Sequence, residues 1–120
     1  MHFRLGLLFS VWVLIAQTQA QTQTFISPKV AVVEAQILID SGEYEEAIEY
    51  LETAIQWHPN NDMLLSLYGD ALYENRQILE AEVAFRRALE INPLNALAAR
   101  RIEVIRSISC LLYTSDAADD

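Results

Sequence analysis

Displaced by 34 residues, the chain lies on itself without a gap. Ala35 falls on Gly69, Leu38 on Leu72, Ala47 on Ala81, Leu51 on Phe85, Ala54 on Ala88, Trp57 on Ile91 and Pro59 on Pro93. A repeat of that length restricts the fold more than any other feature of the sequence. Each unit is a single supersecondary element that can bury its apolar face only by stacking on its neighbour. Ala47, Leu51 and Ala54 stand at i, i+4 and i+7, one face of a helix, and Ala81, Ala84, Phe85 and Ala88 repeat the arrangement. Alternating small and large side chains let one helix lie close to the next while the large residue fills the space between them. Pro59 and Pro93 end the second helix of each unit, because proline has no N–H to give and clashes with the preceding turn.

The punctuation between these helices is equally readable. Gly42 sits between the two helices of the first unit, where a left-handed turn residue is convenient. Arg76 takes the same place in the second unit, which predicts a turn there that does not need positive φ. Asn60, Asn61 and Asp62 offer a loop and an N-cap for the next helix. The pattern predicts helices over Pro28 to Asp40, Glu43 to Trp57, Asp62 to Asn75, Ile78 to Ile91 and Leu94 to Ile108. In the last of these, Ala96, Ala99, Ile102 and Ile105 are expected to pack back on the second unit.

A period of 34 with small, large, small, large and small positions followed by proline resembles the tetratricopeptide repeat. The resemblance covers two full units, 28–61 and 62–95, with 96–109 as a capping helix or a truncated third unit. It implies an all-α solenoid of antiparallel helix–turn–helix repeats. Ala31 stands where the family often has tryptophan and Glu34 where it usually has leucine, so the first helix is expected to pack loosely; Leu65 and Tyr68 fit better. Two units are fewer than the roughly three that such arrays normally need, and a marginal fold is expected of this stretch alone.

The two ends of the chain read differently. A basic start at Met1–Arg4, an apolar run Leu5–Ala16 and a polar stretch ending in a small residue, Gln17–Ala20, match a secretory signal peptide over 1–20. The run is shorter than the about 20 residues a spanning helix needs. The alternative is an uncleaved N-terminal anchor, and in either case the remainder is delivered across a membrane, periplasmic or secreted. Residues 21–27 read as a flexible leader. At the other end, 110–120 (CLLYTSDAADD) breaks the periodicity and resembles the conceptual translation of a transposon-end sequencing adapter, the alternative being a frayed helix end with an acidic tail. Under the adapter reading the natural protein continues beyond Ser109, and the single cysteine, Cys110, supports no redox or metal argument. Eight basic and seventeen acidic residues give a net charge of −9; without Asp116, Asp119 and Asp120 the fourteen remaining acidic residues leave −6.

Catalytic chemistry finds no foothold. His2 lies in the leader and His58 sits before Pro59 at a helix C-terminus, where a partly positive ring is favourable. Glu45, Glu46, Glu49 and Glu52 read as a solvated helix face. No glycine-rich phosphate loop, nucleophile elbow or metal-spaced His/Cys set occurs, so no enzyme, cofactor or metal is expected. An acidic chain is a poor ligand for nucleic acid. Charge is nonetheless unevenly spread. The first unit carries Lys29 against seven carboxylates, a balance of −6, whereas Arg86, Arg87, Arg100, Arg101 and Arg106 gather toward the C-terminus. Stacked repeats or chains that neutralise one another account for this, as would an anionic partner docked on the arginines.

The remaining surface is that of a protein-binding module. The resemblance implies a concave groove lined by the first helix of each unit, carrying Lys29, Val32, Gln36, Ile39 and Asp40, then Met63, Ser66, Asp70, Tyr73 and Glu74. Val32, Ile39 and Tyr73 either face a peptide in that groove or, for Val32 and Ile39, are covered by the next helix or the leader. Relatives that clamp a C-terminal carboxylate use lysine and asparagine where this chain has Val32, Gln36 and Leu67, so such a partner is not favoured. The function expected is that of an exported scaffold binding a protein or peptide. The alternative is the N-terminal repeat domain of a larger outer-membrane export or polysaccharide-secretion protein ending in a β-barrel. A homo-oligomer of stacked repeat ends is a further possibility.

Overall fold

The computed structural model describes residues 26–118, with side chains as far as Leu111. The expected signal peptide, residues 21–25 of the leader and the side chains of most of the adapter-like tail lie outside the described residues. Five helices follow one another: α1 (Pro28–Asp40), α2 (Tyr44–Trp57), α3 (Asp62–Glu74), α4 (Ile78–Ile91) and α5 (Ala96–Ala118). Among the described residues there is no strand. The fold is all-α, two helix–turn–helix units followed by a fifth helix stacked on the second.

Two core clusters match the two units. The first joins Ala31, Ala35 and Ile39 of α1 to Ala47, Leu51 and Ala54 of α2, and to Leu64, Leu67 and Ala71 of α3. The second joins Leu65 and Leu72 of α3 to Ala81, Ala84, Phe85 and Ala88 of α4, and to Ala98, Ile102 and Ile105 of α5. Helix α3 belongs to both cores, one flank to each. The small–large pairing sets the distance between helices. A Cβ added at Gly69 would stand 2.7 Å from Phe85 Cε1, inside any permitted contact; the first unit places Ala35 and the shorter Leu51 in those positions. Ala31 and Ala35 are fully buried, yet α1 meets α2 less extensively than α3 meets α4, in line with the looser first helix expected. Glu34 stays exposed and accepts a hydrogen bond from the Tyr50 hydroxyl of α2.

The turns correct one expectation. Helix α1 ends in a Schellman arrangement, with the Gly42 N–H donating to the Ile39 carbonyl at 3.0 Å and the Glu43 N–H to Leu38 at 2.9 Å. Helix α3 ends identically, Arg76 N–H to Tyr73 at 3.0 Å and Gln77 N–H to Leu72 at 2.8 Å. Gly42 has φ +79° and Arg76 has φ +68°, so Arg76 does adopt the left-handed conformation that its side chain disfavours. The hydrogen-bond pattern that closes α3 and starts α4 imposes the conformation whichever residue is present.

Helix α5 also departs from expectation at both ends. It starts at Ala96 rather than Leu94, because the Asn95 side chain caps it, accepting from the Ala98 N–H at 3.0 Å. Its buried face is Ala98, Ile102 and Ile105, whereas Ala96 and Ala99 are exposed. It runs to Ala118, past Ile108, since neither glycine nor proline interrupts 106–118. Asn95 repeats Asn61, which caps α3 by accepting from the Leu64 N–H at 3.1 Å. The Asn95 and Asn92 amides both reach Asp62 Oδ2, at 2.9 and 3.0 Å, and tie the start of α5 to the start of α3.

Replacing Arg76 with glycine is expected to raise stability by about 0.5–1 kcal/mol, because the left-handed conformation then costs nothing. Gly42→Ala should lower it by about 1 kcal/mol. Gly69→Ala should cost about 1–3 kcal/mol through overpacking on Phe85. Urea denaturation midpoints of the three variants against the parent chain check all of these.

Candidate functional site

Helices α1 and α3 present their inter-repeat positions side by side, and their N-terminal ends enclose a cleft of about 350 Å³. Pro28, Lys29, Val32, Asn61, Asp62 and Met63 line it, three of them expected groove residues. Val32 is half-buried, Lys29 is exposed and Met63 is 53% exposed, so the cleft offers apolar walls beside one cation. The Leu64 N–H at the start of α3 donates to the Asn61 side chain, and the Asn92 and Asn95 amides donate to the Asp62 carboxylate on this rim.

The other end of the face is acidic. Gln36 donates to Asp40 at 2.9 Å, and Asp40 lies close enough to Asp70 to act on its ionisation. Asp70 is 8% exposed. Burial pushes its carboxyl above the ordinary value, and the Arg101 guanidinium offsets part of that rise. Arg101 comes from α5, pairs with Asp70, reaches Glu74 at 3.1 Å and lies 4.7 Å above the Tyr73 ring centroid. Thus Asp70, Tyr73 and Glu74 are brought together by a residue outside the expected groove set.

Three of the expected groove residues are buried: Ile39, Ser66 and Asp70. Ile39 is 7% exposed and belongs to the first core, so the next helix covers it. Ser66 is fully buried and its hydroxyl donates to the Met63 carbonyl at 2.9 Å. The face is therefore presented by Lys29, Val32, Gln36, Asp40, Met63, Tyr73 and Glu74, with Asp70 behind them. Sequence reasoning stopped at the second unit and missed its continuation. Leu97, Arg100 and Val104, one period beyond Met63, Ser66 and Asp70, line a further cleft of about 270 Å³ together with Arg101. Extending the 34-residue register by one more step finds them.

The glutamate run is solvated: Glu45, Glu46, Glu49 and Glu52 are all exposed, and Glu52 accepts from the Tyr68 hydroxyl at 3.0 Å. The Tyr50 and Tyr68 hydroxyls are both pushed up to about 12, by burial first and then by the Glu34 and Glu52 carboxylates they serve. His58 closes α2, and its Nε2–H donates to the Ile26 carbonyl at 2.9 Å, fastening the end of the leader to the first unit. Among the described residues no three His, Cys, Asp or Glu side chains are placed to hold a metal ion, and no helix is long and apolar enough to cross a membrane.

Stacked 34-residue helical pairs with this register are what the comparison with known families also finds: the tetratricopeptide-repeat model matches residues 38–101. The chain belongs to the tetratricopeptide-repeat family. No curated protein matches it as a relative. Tetratricopeptide repeats are protein-interaction modules and generally non-catalytic scaffolds.

Folding favours the protonated form of Asp70, so its ionised form costs stability at neutral pH and the cost is relieved as pH falls through the raised pKa. Arg101→Ala removes the counter-ion and is expected to cost about 1–3 kcal/mol at pH 7. That loss should shrink in acid, once the pH has fallen through the raised pKa and the carboxyl is protonated. Asp70→Asn should change stability at pH 7 by less than about 0.5 kcal/mol, or raise it. Chemical denaturation at pH 7 and in acid separates this from a purely packing role of Arg101 on Tyr73, whose loss would be the same at both.

Proposed function

We propose that the protein is an exported interaction module that holds a peptide or protein segment along the face of α1 and α3. The observation that carries the reading is the apolar cleft at Val32 and Met63, which lies on the same face as the exposed carboxylates of Asp40 and Glu74. A segment with an apolar side chain for the cleft and a basic one for the carboxylates matches both ends. From Val32 to Asp40 is eight residues of helix, about 12 Å. About four residues of an extended peptide bridge that distance. Export is supported by the order of charge, apolar run and small residue over Met1–Ala20.

The test is a selection of random dodecapeptides on the full 120-residue chain, followed by affinity measurement. Selected peptides are expected to share an apolar and a basic residue about four positions apart. Val32→Asp and Met63→Asp should each weaken them at least tenfold, about 1.4 kcal/mol, while Glu46→Lys on the opposite surface leaves them unchanged. Equal binding to all variants sinks the reading. For export, mass spectrometry of the protein recovered outside the cytoplasm should give Gln21 as the first residue; an intact Met1 would indicate the anchored form.

A further inference from the structure

The repeat register marks a second surface, on the outer edge of α1. In α3, the positions that pack on the preceding helix α2 are Leu64, Leu67 and Ala71, at 0%, 4% and 0% exposure. In α5 the equivalent positions are Ala98 and Ile105, buried against the second core at 0% and 2%, and Arg101, which turns to Asp70 and Glu74 of α3. One period earlier these positions are Val30, Val33 and Ile37 of α1, and there they are 50%, 58% and 58% exposed. The end of a repeat array normally has a polar outer face. This end instead keeps the apolar stripe of an internal repeat–repeat contact, and beside it Glu34, Ile37, Leu38 and Tyr50 line an open depression of about 240 Å³.

The register also says what chemistry a covering helix needs. Glu34 stands where Tyr68 stands in the second unit, and Tyr68 reaches across to Glu52 of the preceding helix at 3.0 Å. A helix seated on α1 as α2 is seated on α3 therefore brings its Glu52-equivalent position to Glu34. With a carboxylate on α1 and a first unit of net charge −6, that position calls for a cation. The chain's own residues 10–23, one period before α2, do not supply it. In sequence register they carry Val13, Gln17 and Ala20 at the positions of Ala47, Leu51 and Ala54, and Thr18 at that of Glu52, which is no cation. A second copy is disfavoured too. Its α1 edge would set Glu34 against Glu34, and α4, whose Ala81, Phe85, Arg86 and Ala88 have the required pattern, has its apolar face buried in its own core.

We propose that the outer edge of α1 docks an amphipathic helix of another protein, presenting a small–large–small apolar face with arginine or lysine directly after the large residue. The occupant takes the place that a preceding repeat helix would fill, so this site is separate from the face of α1 and α3 and does not depend on it.

The probe is a stapled helical peptide of the Tyr44–Trp57 sequence carrying Glu52→Arg, compared with the unchanged sequence, each titrated by fluorescence anisotropy into the full 120-residue chain. The arginine peptide is expected to bind at least tenfold tighter. Val33→Asp, on an exposed position and checked by circular dichroism for retained helix, should remove at least tenfold of that affinity, and Glu34→Gln should erase the difference between the peptides. Equal binding of the two peptides, or no effect of Val33→Asp, overturns the proposal. So does a dimer in sedimentation that Val33→Asp abolishes, which would give the edge to a second copy. Tighter peptide binding after removal of residues 1–24 overturns it as well, since the chain's own N-terminal stretch would then be the occupant.

Discussion

Within each unit the two helices approach only because a small side chain faces a large one, and the remaining geometry depends on that contact. Gly69 against Phe85 is the tightest instance, with no space for even a methyl group. The first unit solves the same problem with Ala35 and Leu51, exchanging a larger small residue for a smaller large one. Because interiors are close-packed, the sum of the two volumes is conserved even where the residues are not. That sum sets the spacing of α1 to α2 and of α3 to α4, and so the angle at which α3 and α5 stack behind them.

Stacking is then held by polar contacts at the helix ends, where backbone groups would otherwise lack partners. Asn61 and Asn95 cap α3 and α5 from equivalent positions, and Asp62 gathers the Asn92 and Asn95 amides of the following loop. Each cap thus fixes one helix start and also the distance to the next. The Schellman turns at Gly42 and Arg76 do the same at the other ends, strictly enough to hold an arginine in the left-handed region.

The uneven charge of the chain acquires a physical role in this frame. Of the C-terminal arginines, Arg101 turns inward to Asp70, Glu74 and Tyr73, which joins the fifth helix to the face of α3 and lowers the cost of a buried carboxylate. Arg86 and Arg106 stay on the surface, pairing with Glu82 and Glu103 of their own helices at exposed positions where such pairs contribute little. Neutralisation between stacked units, one of the two readings of the arginine cluster, therefore holds for Arg101 and for neither of these two.

The 34-residue register by itself determined the helices, their order, the core positions of α2 and α4 and the family, because burial in a solenoid is periodic and local: the residues that touch are those that recur. Ala47, Leu51, Ala54, Ala81, Phe85 and Ala88 were legible as core for that reason. Legibility failed where partners come from different units. That Ile39 and Ser66 would be covered while Val32 stays half-open depends on how far α3 leans on α1, which no single helix period encodes. Arg101 entered the face because its long side chain spans two helices, and α5 buries Ala98 rather than Ala96 and Ala99 because packing on the second unit, not the helix period alone, selects the face. Arg76 was misread because composition reports what a turn prefers, while the hydrogen bonds closing α3 dictate what it must do. Only the tertiary structure decided which apolar positions of α1 remain open, since exposure is a property of the neighbour that is or is not there.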